Sequence, residues 1–345
     1  MKQTILLGTY TKRESKGVYS IQLDTQSKQL ESLAHEASIG HPTYIDGSAD
    51  MSLLFSVSKT TDGKGGVASF VKDDDGNYEK KAELLEDGAP PCYVSYDPDK
   101  NLVYTANYHK GEVAVYQTNS EGTLKLLDKA VHSGKSVHEN QDAPHAHYFD
   151  LTPDHRFLVA CDLGTDKVYT YELDENNKLQ EKSVVEVAPG TGPRHLTFHP
   201  NGQFAYVFGE LSSDMLVFEY DKEKGSFSHL QTLSTIPDSH SGFNGGAALR
   251  ITSDGSHLYA SNRGHNSIVH FAVQPDGKLD RVGFTATEGE IPRDFNMTPD
   301  DNFLIIGHQD TDNLSLFERN SEDGTLSLLQ KDIYAPEVVC VQFAE

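Results

Sequence analysis

The chain has 345 residues, 37% of them hydrophobic, which is enough to bury one large core or several smaller ones. Its formal net charge is −23, with no lysine or arginine block, so long-range repulsion opposes nucleic acid and anionic membrane as partners. Cys92, Cys161 and Cys340 are far apart with no CxxC pair, which argues against a disulfide framework or a structural zinc site and fits reduced thiols.

In chain order, the opening MKQTILLGTYTKRE offers only Ile5, Leu6 and Leu7 as an apolar run, too short for a signal-peptide core. No apolar segment of about 18 residues follows, so a cytoplasmic protein is expected. The N-terminal TILLGTYTKRESKGVYSIQLDTQSKQLESLAHE holds three strand-like runs. A block then recurs: a proline or glycine, a short strand, a PDG-like turn, a second strand, and a third strand with a V-x-x-[FY] pattern. Copies start at Pro42, Pro91, Pro144, Pro193, Gly246 and Pro292, and a truncated seventh at Pro336 has one strand, PEVVCVQFAE; successive starts lie 44 to 53 residues apart.

Each copy alternates apolar and polar residues around a tight turn, as in FHPNGQFAYVF, which is hairpin grammar at a period of two. No stretch keeps a 3.6-residue apolar period over three turns, so the chain reads as all-β with four strands per repeat. Such repeats are the signature of β-propeller blades. A pair of β-sandwiches would not explain seven evenly spaced starts. The lone C-terminal strand and the three N-terminal runs complement each other, which predicts seven four-stranded blades in one domain, 1–345. The C-terminal strand would pair with the N-terminal strands to close the ring. A closed ring is self-sufficient, so a monomer is expected, with edge pairing into a weak homodimer as the alternative.

In a blade, the innermost strand starts at one channel mouth and the second strand returns to it. Two positions per repeat should therefore line that mouth. The residue after each start is Thr43, Cys92, Arg194, Ala247, Arg293 or Glu337. The third repeat is two residues longer between Pro144 and Pro153, so its equivalent is His147, with His145 in the inserted loop. The second position falls on Lys59, Tyr108, Leu163, Glu210, Arg263 and Gln309. Singly, such groups are surface charges of small worth. Together they gather cations at one mouth of an acidic protein, an anion site in which forked arginines suit phosphate, carboxylate or an oxyanion. Glu210 between Arg194 and Arg263 would stay ionised as a general base, at some loss of basicity, and His147 could transfer the proton.

Other stretches carry less. DGKGG (62–66) and GTG (190–192) lack the strand-loop-helix setting of phosphate loops and read as turns. KDDDGNYEKK and ELDENNK read as solvated outer turns. DSHSGFNGGA (238–247) is either an inter-blade connection or an overhang of the mouth. No cluster requires a metal, and no cofactor is expected.

The chain resembles the seven-bladed lactonase family, which includes propeller-type 6-phosphogluconolactonases and the fungal carboxymuconate lactonising enzyme. The resemblance rests on LLGTYT, PHAHYFDLTPDHRFLVACDLGTDKV, GPRHLTFHPNGQFAYVFGEL and LYASNRGHNSIVHF. It implies active residues at one of the PHAH histidines (His145 or His147), at Arg194 of GPRH, Glu210 of FGEL and Arg263 of SNRG. It also implies metal-independent hydrolysis of a sugar lactone, with 6-phospho-D-glucono-1,5-lactone the expected substrate. Arg293 and Lys59 are the expected phosphate ligands, with Tyr108 beside them. A lactonase or cycloisomerase acting on a carboxylate lactone, and a non-catalytic scaffold, are the alternative readings.

Overall fold

A computed structural model describes residues 2–344. Seven antiparallel sheets of four strands each form the blades of a propeller, with no helix among the described residues. Blades 1 to 6 span residues 45–87, 93–131, 146–186, 193–234, 245–286 and 292–334. Blade 7 is shared between the chain ends: Val338–Phe343 is its inner strand and pairs antiparallel with Lys2–Thr9, followed by Gly17–Asp24 and Gln29–Ser38. The expected closure is therefore the observed one.

The period of two is clearest where only one face is covered. Second strands such as Leu53–Lys59, Leu102–Asn107 and Phe303–His308 are buried on both faces, because each blade is sandwiched between two others. Outer strands such as Tyr78–Asp87 (YEKKAELLED) are mostly exposed and charged, and a bulge near mid-strand blunts the free edge. A recurrent tyrosine of the second strand latches one blade to the next: the Tyr206 hydroxyl donates to Gly277 O (3.1 Å) and the Tyr259 hydroxyl to Gly324 O (2.6 Å).

Three inner strands begin with a bulge. Ala146 pairs with Asp162 and Tyr148 with Cys161, so His147 is the extra residue. Arg194 is extra between the pairs Pro193–Gly209 and His195–Phe208, as is Arg293 between Pro292–His308 and Asp294–Gly307. A bulge re-aims side chains that strict alternation would send to opposite faces. It is the local device that places each of these three residues at the mouth.

One layer deeper the channel is plugged. Tyr44, Tyr93, Tyr148 and His195 pack with ring centroids 4.3 to 6.0 Å apart. The plug separates a mouth cavity of about 340 Å³ from one of about 220 Å³ toward the far end, and the two share no lining residue. Burial, Arg194 and His147 push the pKa of His195 well below the ordinary histidine value, and its Nε2 has no hydrogen-bond partner.

Two outcomes follow from this architecture. Ending the chain before Val338 removes a strand that buries Val338, Val339, Cys340, Val341 and Phe343. At about 2 kcal/mol per apolar side chain, that loss is comparable with a typical domain's total stability, so circular dichroism should show no cooperative melt. A Tm within about 5 °C of the full chain would overturn the closure argument. His195 takes up a proton near pH 6.5 when unfolded but not when folded, so its contribution leaves stability intact above that pH and erodes it below. In urea melts at pH 7.5 and 5.0, His195→Gln should lose less stability than wild type, by up to about 1.4 kcal/mol per pH unit below about 6.5. Equal losses would mean that folded His195 is protonated.

Candidate active site

The mouth cavity lies where the first strands begin and the second strands end. Five of the sequence-predicted residues stand on its wall: His147, Glu210, Arg293, Lys59 and Tyr108. Arg194 and Arg263 stand behind Glu210, with Arg194 Nε 3.0 Å from Oε2 and Arg263 Nη2 3.0 Å from Oε1. The first contact is close but poorly aligned for a hydrogen bond, so it acts as an ion pair. Burial works to raise the Glu210 pKa, but Arg263, Arg194 and Arg293 outweigh it and hold the carboxyl below its ordinary range. Glu210 is ionised at neutral pH, and its side chain keeps 21% exposure toward the cavity.

Two buried guanidiniums need acceptors beyond one carboxylate. The start of the inner strand of blade 5 supplies them as main-chain carbonyls: Arg194 Nη1 donates to Ala247 O (2.9 Å), and Arg263 Nη2 to Gly246 O (2.9 Å). The glycines are needed for close approach. A Cβ on Gly245 would stand 3.0 Å from Arg263 Nη2, and one on Gly246 2.6 Å from the Phe208 ring. The end of the 238–247 segment is thus the cradle of both arginines, a role its composition did not reveal.

The two PHAH histidines part company. His147 is buried on the cavity wall with Nδ1 unpartnered, its ring 5.2 Å from that of His195. Burial, Arg194 and Arg293 push its pKa well below the ordinary value, so it is neutral at pH 7. His145 stacks flat behind Tyr108, centroids 4.1 Å apart, and its Nδ1 lies 2.8 Å from Tyr108 O. It is held from behind by Asp162, whose Oδ1 accepts the His145 N–H (2.8 Å) while Oδ2 contacts His132 Nδ1 (2.6 Å).

Of the remaining register positions, Thr43 and Cys92 line the cavity, and burial raises the Cys92 thiol to about 11, away from thiolate chemistry. Leu163 is buried in the fold. Glu337 is turned away from the cavity: its carboxylate accepts the N–H groups of Lys12, Arg13 and Ser15. Tyr10, Lys12, His41 and His109 also stand on the wall without having been singled out in the sequence. Tyr10 directly follows the second strand of blade 7, the position held by Tyr108 and Glu210 in theirs, so continuing the repeat register across the chain ends would have found it. Asp97, Asp99 and His155 could together reach a metal ion, but they sit at the strand end and turns of the far side of blades 2 and 3.

Known proteins share this architecture. The family model for "Lactonase, 7-bladed beta-propeller" matches residues 4–343. The chain is 43% identical over 340 residues to the 6-phosphogluconolactonase of Bacillus subtilis, covering 98% of this chain and 97% of that one. Among solved structures, a protein of Lactobacillus plantarum superposes with a TM-score of 0.97 at 44% identity, with both chains fully covered. A periplasmic gluconolactonase of Pseudomonas aeruginosa gives 0.91 at 31% identity, covering 99% of each chain. With the match running the length of the ring, the chain belongs to the seven-bladed β-propeller lactonase family of lactone hydrolases.

Proposed function

We propose that the mouth cavity hydrolyses a sugar lactone carrying an acidic substituent, with 6-phospho-D-glucono-1,5-lactone as substrate and 6-phosphogluconate as product, a step of the oxidative pentose phosphate pathway. The observation that carries this reading is an ionised Glu210, clamped by two buried arginines, facing a cavity that also presents neutral His147 and the cations Arg293 and Lys59. The relative named 6-phosphogluconolactonase supports the substrate, and three free thiols, Cys92, Cys161 and Cys340, favour a reducing cytoplasm.

In this mechanism Glu210 accepts a proton from water, directly or through His147, as the water oxygen bonds to the lactone carbonyl carbon. Arg194 and Arg263 orient the carboxylate, and their positive field stabilises the tetrahedral oxyanion. Collapse breaks the bond to the ring oxygen, which takes the proton back and leaves as the 5-hydroxyl. Arg293 and Lys59 hold the 6-phosphate, and Tyr108, braced by His145, covers the sugar ring.

The test is the rate of 6-phosphogluconolactone opening above its spontaneous rate. Glu210→Gln should lower kcat by about 10²-fold or more. Retained activity would remove Glu210 as base, and no acceleration by folded wild type would move the reading to carboxylate lactones or a binding scaffold. Both candidate bases have depressed pKa values, so they stay unprotonated into mildly acidic solution. On unphosphorylated gluconolactone, which has no phosphate titrating in this range, kcat/KM should therefore keep at least about half its value from pH 7.5 to 5.5. An acid limb centred near 6.5 would mean that an ordinary histidine controls the rate.

A further inference from the structure

The cation-rich side of the cavity includes a segment outside the repeat pattern. Residues 10–16, TyrThrLysArgGluSerLys, join Lys2–Thr9 to Gly17–Asp24 of blade 7 and bring Tyr10 and Lys12 onto the wall beside Lys59 and Arg293. Among the described residues, none of Lys12, Lys59 and Arg293 is ion-paired with a carboxylate, although most lysines of this acidic chain are. Lys12 Nζ lies 4.0 Å above the Tyr10 ring and the Arg293 guanidinium 5.9 Å from it, so one aromatic ring gathers both cations. The field of the two lysines is felt by His41, whose pKa is lowered by burial and then by Lys59 and Lys12.

An exposed lysine on a loop is ordinarily mobile, but this loop is pinned from below. Glu337, 1% exposed, receives Lys12 N–H at Oε1 (2.9 Å) and Arg13 N–H and Ser15 N–H at Oε2 (3.0 and 3.1 Å). Its own carbonyl accepts Tyr10 N–H (3.0 Å), and its backbone holds a left-handed φ of 53°, unusual for a residue with a Cβ. Asp312 Oδ1 completes the anchor by accepting Glu337 N–H (2.8 Å) and the Arg13 guanidinium (2.6 Å). Thr11 Oγ1 accepts His41 N–H on the other side (3.1 Å). A carboxylate buried to hold three amides of one loop is a larger commitment than loop closure needs.

We propose that Lys12 is a specificity-determining residue that reads the acidic substituent of the lactone together with Lys59 and Arg293, and that Glu337 is its positioning residue. This rests on the lactonase reading, and it names the loop that makes the site prefer an anionic substrate. The experiment compares phosphorylated and unphosphorylated gluconolactone with wild type, Lys12→Ala and Glu337→Gln, all checked for folding by circular dichroism. For Lys12→Ala, KM for the phosphorylated lactone should rise about tenfold with kcat held, so the preference for it falls about tenfold. Glu337→Gln should move the preference the same way. Equal losses on both lactones, or an intact preference in Lys12→Ala, would overturn the proposal. Calorimetric titration with 6-phosphogluconate and gluconate separates it from the parent reading. If wild type opens neither lactone yet binds the phosphorylated acid more tightly, and Lys12→Ala abolishes that difference, the subsite stands and the lactonase reading falls. Absence of that difference in wild type would sink the subsite.

Discussion

A four-stranded sheet whose second strand is apolar on both faces has no stable existence alone; it needs a neighbour on each side. Seven such sheets satisfy one another only if the ring closes, and here the closing contact is Val338–Phe343 against Lys2–Thr9. Everything at the mouth inherits its position from that closure. Glu210, Arg194 and Arg263 come from blades 4 and 5, Arg293 from blade 6, and Lys12 from blade 7, so no blade contains a working set. The chain ends are structurally central although they look peripheral in the sequence.

Within the ring, electrostatics decides where polarity can be buried. One carboxylate between two guanidiniums leaves excess positive charge, which glycine-exposed carbonyls absorb on one side and Arg293 extends toward the cavity on the other. Burial, reinforced by the same positive surroundings, keeps His147 and His195 neutral. A single arrangement thus sets the protonation state of both candidate bases, and the acidic surface elsewhere has little access to it. Taking one partner from such a set leaves an unpaired buried charge, which is why the first residues of blade 5 are as much part of the site as the side chains they hold.

Much of this was legible from spacing. The starts at Pro144, Pro193 and Pro292 located His147, Arg194 and Arg293 because a bulge repeats at the same register in each blade, and the two extra residues before Pro153 distinguished His147 from His145. Register alone does not reveal where a side chain goes once the backbone leaves strand geometry. Glu337 occupies an equivalent position, yet a left-handed φ and three amide donors turn it toward a loop. Tyr10 and Lys12 escaped notice because their blade is split between the chain ends. The Gly245–Gly246 cradle was hidden because its function lies in its carbonyl oxygens, which no residue type announces.

The tyrosine plug divides the channel into a mouth cavity and a far cavity with no lining residue in common. In the proposed mechanism, ring opening of a lactone turns a compact ring into a longer, flexible acid bearing a fresh carboxylate. That new charge is born within reach of Glu210, itself anionic and fixed in place. Cations that draw an anionic lactone in also hold a product of higher negative charge, so in the proposed mechanism the mouth that favours entry resists release.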